Sequence, residues 1–291
     1  MSSIHTKTNL TCKCLCFERL VTGAATHFTI PPSELVVVDL CASHAKDLSN
    51  LETTGIRQCN YYGFDNDIES PSLAQKYARS NLNLVTCVNL VESSDDAICA
   101  SIQGALIDAS RSHIESKKAH IVLINFAIHL FAKDLEKVFR LISNGDWAHK
   151  GCLVQCSYIS YEGIHTVIET PHVYGEGVSF HKDSRVLHIE NMAKYSFDEC
   201  MRRMVPSIVR EEHARSFANN GVAEVIVSDE SLCESLQRQG FECICAKDEL
   251  SHIKLYNESI RTHVASHVTE RARLCLEAFM TIHKTIICKQ N

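Results

Sequence analysis

The sequence predicts an α/β protein with a mostly parallel central sheet and an antiparallel edge built by its C-terminal part. From residue 34 onward, short apolar runs such as VVVDL at residues 36–40 alternate with segments of helix length, as in βαβ units. The run at residues 120–125 is apolar, as expected of a parallel strand that is covered on both faces. Beyond Tyr158 the alternation is less regular, and we expect antiparallel strands there.

The elements follow in order along the chain. The apolar runs predict strands at residues 36–40, 61–65, 84–91, 120–125 and 151–158. Helices are predicted up to Gly55, at 70–81 behind the N-cap Ser70, within 93–118, and at 132–143, where Leu135, Val138, Phe139 and Ile142 share one face. The C-terminal part predicts a loop at 174–177, strands at 185–191, 222–227 and 280–288, and a helix at 231–239. We expect one domain at 34–291 after an N-terminal extension, 1–33.

Composition and charge limit the classes of partner. The 291 residues are 45% hydrophobic and 22% charged, which is typical of a globular protein with a substantial core. The net charge of −6 argues against a protein that coats long nucleic acid, because such proteins neutralise many phosphates with Lys and Arg. We therefore expect no DNA partner, while a short RNA end held in a local pocket stays possible.

The cysteines and the apolar stretches indicate a cytoplasmic protein without a membrane partner. The fifteen cysteines are odd in number and scattered, and residues 1–10 lack the apolar core of a signal peptide, which favours free thiols in a reducing compartment. The longest apolar stretch, 121–131, is too short to span a bilayer. In TCKCLC, the alternation of Cys12, Cys14 and Cys16 predicts one face of a strand. We expect no metal there, because zinc ligand pairs are usually spaced by two or more residues.

Two acidic residues stand at the tips of the first two strands. Asp39 closes the first strand and Asp65 the second, and ligands of open parallel sheets bind beyond the carboxyl ends of the strands. An acid about 20 residues past the first turn can bind ribose hydroxyls, which favours Asp65 for that role. The alternative is that both acids are structural, since the turn after Asp39 carries Cys41, Ala42 and Ser43 instead of glycines.

Two segments resemble motifs of a known enzyme family. VVVDLCASHAKDL at residues 36–48 keeps the Asp-Leu pairs of a first motif, Asp-Leu-Gly-Cys-Gly followed by Asp-Leu, but loses its glycines. YYGFD at 61–65 is similar to a second motif, Tyr-Tyr-Gly-Ile-Asp. Over roughly residues 34–241 the chain resembles the S-adenosylmethionine-dependent methyltransferases of the Rossmann-like class I. Within that class it is most similar to the messenger-RNA cap guanine-N7 methyltransferases, including the compact stand-alone domains of viruses and parasites.

The cap-specific part of the resemblance lies in two further segments. NFAIHLFA at residues 125–132 stands where the family has Gln-Phe-Ser-x-His-Tyr-x-Phe, and VAEVIV at 222–227 where it has Val-Pro-Glu-Tyr. The resemblance implies that His129 faces the cap guanine and that Glu224 pairs with the guanine edge, as the catalytic and substrate-binding residues. It also implies a stacking role for Phe279. The alternatives are a core histidine and a solvated strand glutamate.

The resemblance further implies S-adenosylmethionine as the cofactor and a capped RNA 5′ end, GpppN, as the partner, with other capping enzymes as further partners and the host cytoplasm as the location of a viral member. Asp39 would orient the methionine end and Asp65 the ribose, with Cys41 in the turn between them. Asn89 would meet the adenine, while Asn125 and Phe126 would line the floor of the methyl-transfer site. Two other hypotheses stay open: a methyltransferase of the same fold acting on another RNA position or a small molecule, and an inactive partner subunit of a capping complex.

Overall fold

The computed structural model describes residues 2–42, 59–66, 82–90, 92–109, 118–125, 128–131, 134–163, 166, 179–182, 185–188, 228–244, 251–259, 273, 277 and 280–291. Within this part of the chain, no helix combines the length and the apolar content needed to cross a membrane. The helix predicted at 70–81, the loop at 174–177 and the strand at 222–227 lie outside the described residues.

Helices and strands alternate through the first half of the chain, as the sequence predicts. The described α-helices are α1 (Ser2–Phe28), α2 (Asp95–Ala109), α3 (Glu136–Asn144), α4 (Asp229–Arg238) and α5 (His252–Ser259). The strands are β1 (Val36–Leu40), β2 (Asn60–Asp65), β3 (Leu82–Cys87), β4 (Ala119–Asn125), β5 (Ala148–Ile159), β6 (Ser179–Lys182), β7 (Arg185–His188), β8 (Phe241–Cys243) and β9 (His283–Gln290). Short 3₁₀ helices span Pro32–Glu34 and Ile128–Phe131.

Seven of the described strands form one sheet in the order β3-β2-β1-β4-β5-β9-β8. Strand β1 pairs in parallel with β2 on one side and β4 on the other, and β2 pairs in parallel with β3. At the far edge, β8 pairs antiparallel with β9. The predicted class, a mostly parallel α/β sheet with an antiparallel C-terminal edge, is confirmed.

The centre of the sheet is buried, which explains its nearly continuous apolar sequence. All five residues of β1 are buried, and residues 121–124 of β4 are fully inaccessible to solvent. Helix α3 buries Val138, Phe139, Leu141 and Ile142. Apolar burial of this kind provides the main stabilisation of a parallel sheet.

The N-terminal segment differs from its prediction. Residues 2–28 form one long helix, so the strand inferred from Cys12, Cys14 and Cys16 is wrong. Cys12, Cys16 and Leu20 are buried, as are Phe17, Val21 and Ala24, a spacing of four residues that matches one helix face. The alternation of cysteines covers only five residues, too few to outweigh the helical period of the longer segment.

Several strand boundaries also differ from the expected ones, among them the start of β5 at Ala148 rather than at residue 151. Strand β3 ends at Cys87 rather than at residue 91, because the side chain of Asn89 starts a turn by accepting a hydrogen bond from the backbone N–H of Glu92 at 2.9 Å. Strand β9 begins at His283, since residues 280–282 are still helical.

The chain forms two compact units. One comprises Met1–Cys12, Ser157–Leu232 and Ala246–Thr285; the other, here called the sheet unit, comprises Lys13–Cys156, Cys233–Cys245 and Ile286–Asn291. This division falls within helices α1 and α4 and strands β5 and β9. The predicted single domain at 34–291 stays a prediction. The candidate site described next lies wholly within the sheet unit.

The first unit contains a buried polar network at the start of α4. The carboxylate of Asp229 pairs with Lys284 and accepts hydrogen bonds from Tyr158 Oη at 2.8 Å and Ser160 Oγ at 2.9 Å. Glu162 accepts a hydrogen bond from the backbone N–H of Asp229 at 3.0 Å. A negative charge in the first helical turn also interacts favourably with the helix dipole. These contacts therefore anchor the start of the helix.

Candidate functional site

Asp39 occupies the predicted position near the carboxyl end of the central strand β1. Its neighbours in the register are Gly63 of β2 and Leu123 of β4. The side chain is only 2% exposed, and Tyr61 Oη donates a hydrogen bond to Asp39 Oδ2. Burying a carboxylate costs free energy unless hydrogen bonds compensate. The hydrogen bond from Tyr61 offsets part of this cost for Asp39.

The turn after β1 closes without glycine. Cys41 adopts a left-handed backbone with φ 78°, a conformation that normally favours glycine. The backbone N–H groups of Cys41 and Ala42 both donate to the carbonyl oxygen of Phe64, at 2.7 and 2.9 Å. These two amide groups are therefore directed at β2, where a glycine-rich loop would offer its amides to a ligand.

The Cys41 thiol lies in the electrostatic field of both predicted acids. Its pKa is raised well above the ordinary value, first by burial and then by the negative charges of Asp65 and Asp39. The register of the two strands places their tips side by side, with Leu40 opposite Phe64. The raised pKa keeps the thiol protonated at neutral pH, so Cys41 lacks the thiolate that a nucleophile requires.

The tip of β2 is tied to the loop that follows β3. The backbone N–H of Val88 donates to the carbonyl oxygen of Asp65 at 2.8 Å, and that of Leu90 to the Oδ1 atom of Asn66 at 2.7 Å. Asp65 itself is partly exposed. The hydrogen bonds of Val88 and Leu90 thus fix the backbone at the tip of β2.

Asn89 is exposed on the loop after β3. Its Nδ2 donates to Glu92 Oε2 at 3.0 Å, in addition to the bond that its Oδ1 accepts from the Glu92 backbone. The side chain is therefore engaged in a local turn of the Asx kind. Its predicted contact with an adenine stays a prediction.

Asn125 ends strand β4, next to β1 in the sheet. Its Oδ1 accepts a hydrogen bond from Gln155 Nε2 of β5 at 3.1 Å, which fixes the amide at the strand tip. The following 3₁₀ helix, Ile128–Phe131, contains His129 and is held by the buried side chains of Ile128 and Phe131. The side chain of His129 and the whole of Phe126, Glu224 and Phe279 lie outside the described residues, so their predicted roles stay predictions.

The strand order explains which predicted residues meet. Strands β2, β1 and β4 are parallel neighbours. Their carboxyl ends therefore lie on the same side of the sheet, and this side carries Asp65, Asp39 and Asn125. Cys41 lies beside the two acids. Carboxylates and an amide on such an edge suit a ligand with hydroxyl and ammonium groups. In the portion of the chain that the structure describes, no cluster of three or more His, Cys, Asp or Glu side chains is arranged to hold a metal ion.

The contact of Tyr61 with Asp39 is not among the predictions from the sequence. The sequence indicates Tyr61 only as part of a family motif, although the strand periodicity carries a signal. Residues two apart on a strand share a face, so Tyr61 lies on the same face of β2 as Gly63, which is the register partner of Asp39. Finding the contact from sequence requires knowing that register.

Solved structures with a similar fold are S-adenosylmethionine-dependent methyltransferases. The plantazolicin methyltransferase BamL, in complex with a triazolic desmethylPZN analog and SAH, aligns with 97% of this chain and 85% of its own at 12% identity and a TM-score of 0.52. An S-adenosylmethionine-dependent methyltransferase from Mesorhizobium loti aligns with 91% of this chain and 96% of its own, at 12% identity and a TM-score of 0.50. The chain therefore has the Rossmann-like fold of these methyltransferases.

A third structure pairs a methyltransferase with the Haloferax volcanii Trm112 methyltransferase activator. It aligns with 87% of this chain and 81% of its own at 11% identity, but its TM-score of 0.44 is too low to support an argument about partners. The sequence matches no protein-family model. It also matches no curated protein.

Proposed function

We propose that this chain is an S-adenosylmethionine-dependent methyltransferase. The observation that carries the proposal is the joint position of Asp39 and Asp65 at the tips of adjacent parallel strands, both acting on the Cys41 thiol. In open α/β sheets this edge is where nucleotide ligands bind. The methyltransferase fold and the SAH bound to BamL support the same cofactor here.

The residues at the strand tips match the chemical groups of the cofactor. Asp65, partly exposed at the tip of β2, would accept hydrogen bonds from the ribose hydroxyls. Asp39 would pair with the ammonium group of the methionine end, and Asn89 would meet the adenine amino group. Asn125 and Phe126 would line the floor beside the reacting methyl group. When bound, the cofactor supplies an electrophilic methyl group on a sulfonium sulfur.

The proposed substrate is the guanine N7 of an RNA cap, GpppN. The NFAIHLFA segment, with His129 in the 3₁₀ helix after β4, supports this choice through its resemblance to the cap family. Guanine N7 has a free lone pair and loses no proton on methylation, so orientation replaces a general base. Orientation of reactants alone can lower a barrier by about 7–11 kcal/mol.

In this proposal, His129 and Glu224 hold the guanine edge and Phe279 stacks on the cap. The carboxylate of Glu224 would stabilise the positive charge that the guanine ring gains on methylation more than it stabilises the neutral ring, which is the differential binding that catalysis needs. Capping enzymes are the expected protein partners and the cytoplasm is the expected location.

A second candidate is a partner subunit of a capping complex that binds no cofactor. The observation that favours it is the turn at Cys41, where two amide groups donate to Phe64 rather than facing the open edge. A methyltransferase acting on another RNA position or on a small molecule has the same cofactor site and differs only in its substrate.

The first test measures cofactor binding by calorimetry and methyl transfer from labelled S-adenosylmethionine to RNAs ending in GpppA or GpppG. We expect binding, and transfer to these caps but not to caps already methylated at N7. Asp65→Ala should weaken binding about tenfold or more, because hydrogen bonds to charged groups contribute roughly 1.5–3 kcal/mol. Asp146→Ala is the matched control, since the Asp146 side chain is 77% exposed and pairs only with Lys118 among the contacts described.

The outcomes separate the candidates. Binding with transfer to unmethylated caps alone would support cap N7 chemistry and make His129 and Glu224 the next positions to vary. Binding without transfer would assign the chain to a methyltransferase with another substrate. Absence of binding would overturn the proposal and favour the partner subunit.

A further inference from the structure

We propose that Tyr61 is a positioning residue of the cofactor site, holding the Asp39 carboxylate in the orientation that receives the ammonium group of the cofactor. The proposal rests on the function proposed above. Tyr61 Oη donates to Asp39 Oδ2, and the two residues are 0% and 2% exposed. A buried hydrogen bond between a hydroxyl and a carboxylate is short and strong, and it restricts the rotation of the acid.

The sheet register explains how this contact arises. Asp39 lies opposite Gly63, and Tyr61 precedes Gly63 by two residues on the same face of β2. Gly63 has no side chain, which leaves the face of β2 beside Asp39 open to the tyrosine ring. Tyr62, the next residue, points to the opposite face and lies opposite Val38.

The chemistry of the donor matters for the role. A tyrosine hydroxyl is neutral, so it orients a carboxylate without cancelling its charge, whereas Arg or Lys in that place would form an ion pair with Asp39. The bond engages one carboxylate oxygen, Oδ2, and a carboxylate has several acceptor positions on its two oxygens. An oriented acid with its charge retained suits the cationic amino group of an amino-acid ligand.

The role predicts an effect that depends on which part of the ligand is present. S-adenosylhomocysteine carries the amino-acid end, whereas 5′-methylthioadenosine keeps the adenine and ribose but has no ammonium group. Tyr61→Phe should therefore weaken binding of S-adenosylhomocysteine by about tenfold, the scale of one hydrogen bond to a charged group. It should leave binding of 5′-methylthioadenosine unchanged, because the Asp65 contact is intact.

Tyr62→Phe is the matched control on the same strand. The Tyr62 hydroxyl is buried and makes no hydrogen bond with any residue that the structure describes, and burial raises the pKa of Tyr62. Removing this hydroxyl should leave the affinity for both ligands unchanged. The two variants delete the same atom from adjacent residues, so a difference between them reports on the Asp39 contact.

Calorimetry with both ligands on wild type, Tyr61→Phe and Tyr62→Phe decides the proposal. A selective loss of S-adenosylhomocysteine affinity in Tyr61→Phe supports it. Equal losses for both ligands, or no loss, would overturn the positioning role while leaving the proposed function standing. If wild type binds neither ligand, the proposed function fails and the role of Tyr61 fails with it.

A second variant keeps the test decisive if Tyr61→Phe does not fold. Asp39→Asn keeps the shape of the side chain and an oxygen that accepts from Tyr61, but removes the charge. We expect the same selective loss of S-adenosylhomocysteine binding, and an unchanged affinity for that ligand would show that Asp39 does not face its ammonium group.

Discussion

At the scale of single residues, Cys41 has a backbone conformation that its residue type disfavours. Its φ of 78° lies in the left-handed region, which costs a residue with a Cβ atom about 1–2 kcal/mol. Strain of this size persists only where surrounding contacts enforce it. Here the amides of Cys41 and Ala42 are both held by the carbonyl oxygen of Phe64.

Replacing Cys41 with Gly should raise the free energy of unfolding by about 0.5–1 kcal/mol. Relief of the left-handed strain exceeds the greater flexibility of glycine in the unfolded chain, which costs about 0.4–1 kcal/mol. Urea titration measures the change. Cys87→Gly is the control: Cys87 is an exposed strand residue without positive φ, and this variant should lose about 0.5–1 kcal/mol. Equal changes in both variants would show that Cys41 carries no strain.

At the scale of elements, helix propensity determines the effect of replacing one glycine on stability, and packing determines the effect of replacing another. Gly104 lies inside helix α2, and a Cβ atom added there would meet nothing within 4 Å. Gly145 follows helix α3, and a Cβ atom there would lie 2.5 Å from the backbone oxygen of Leu141 and 2.1 Å from Trp147 Nε1. The same substitution therefore has opposite consequences at the two positions.

Gly104→Ala should stabilise the protein by about 0.5–1 kcal/mol, the propensity difference between the two residues inside a helix. Gly145→Ala should destabilise it by about 1–3 kcal/mol, the usual cost of overpacking. The free energy of unfolding from urea titration measures both. A lower stability of Gly104→Ala would contradict the open space around Gly104 in α2. An unchanged stability of Gly145→Ala would contradict the close contacts around Gly145 after α3.

The elements that the sequence predicts well are those whose signals are long and repeated. The apolar runs predict strands β1 and β4, and the helical period of apolar residues predicts helix α3. All three elements are observed. Helix α1 was missed in favour of a strand because three alternating cysteines gave a clear but short signal. Its buried positions, from Cys12 to Ala24, follow the helical period over a segment more than twice as long.

At the scale of the whole molecule, the candidate site residues that the structure brings to the same end of the sheet are those whose position follows from the chain order. Asp39 and Asp65 were predicted because parallel strands end at the same edge, whatever their exact register. The contact of Asp39 with Tyr61 depends on the pairing of β1 with β2, which is a property of the assembled sheet. The left-handed backbone of Cys41 follows from a bond to Phe64, and no local pattern indicates it.

A second property of the assembled sheet unit is a stacked, half-buried histidine pair. The ring of His120 stacks on that of His149 at a centroid separation of 4.3 Å, and Phe28 packs edge-on against His120 at 4.8 Å. The backbone N–H of Val36 donates to His120 Nδ1 at 3.0 Å, so this nitrogen must be unprotonated. Burial, followed by the charge of His149, lowers the pKa of His120 from 6.5 to about 4. Burial and Lys118 also lower the pKa of His149.

These lowered pKa values predict that the protein loses stability as the pH falls from about 6.5 toward 4. In this interval the unfolded chain binds a proton that folded His120 excludes, and stability falls wherever the unfolded state binds more protons. The loss should reach about 1–3 kcal/mol, less than the full shift implies because the ring is partly exposed. Urea titrations at pH 7, 6 and 5 measure it. His120→Asn keeps an acceptor for Val36 but does not titrate, so its profile should be flatter; parallel profiles would refute the assignment to His120.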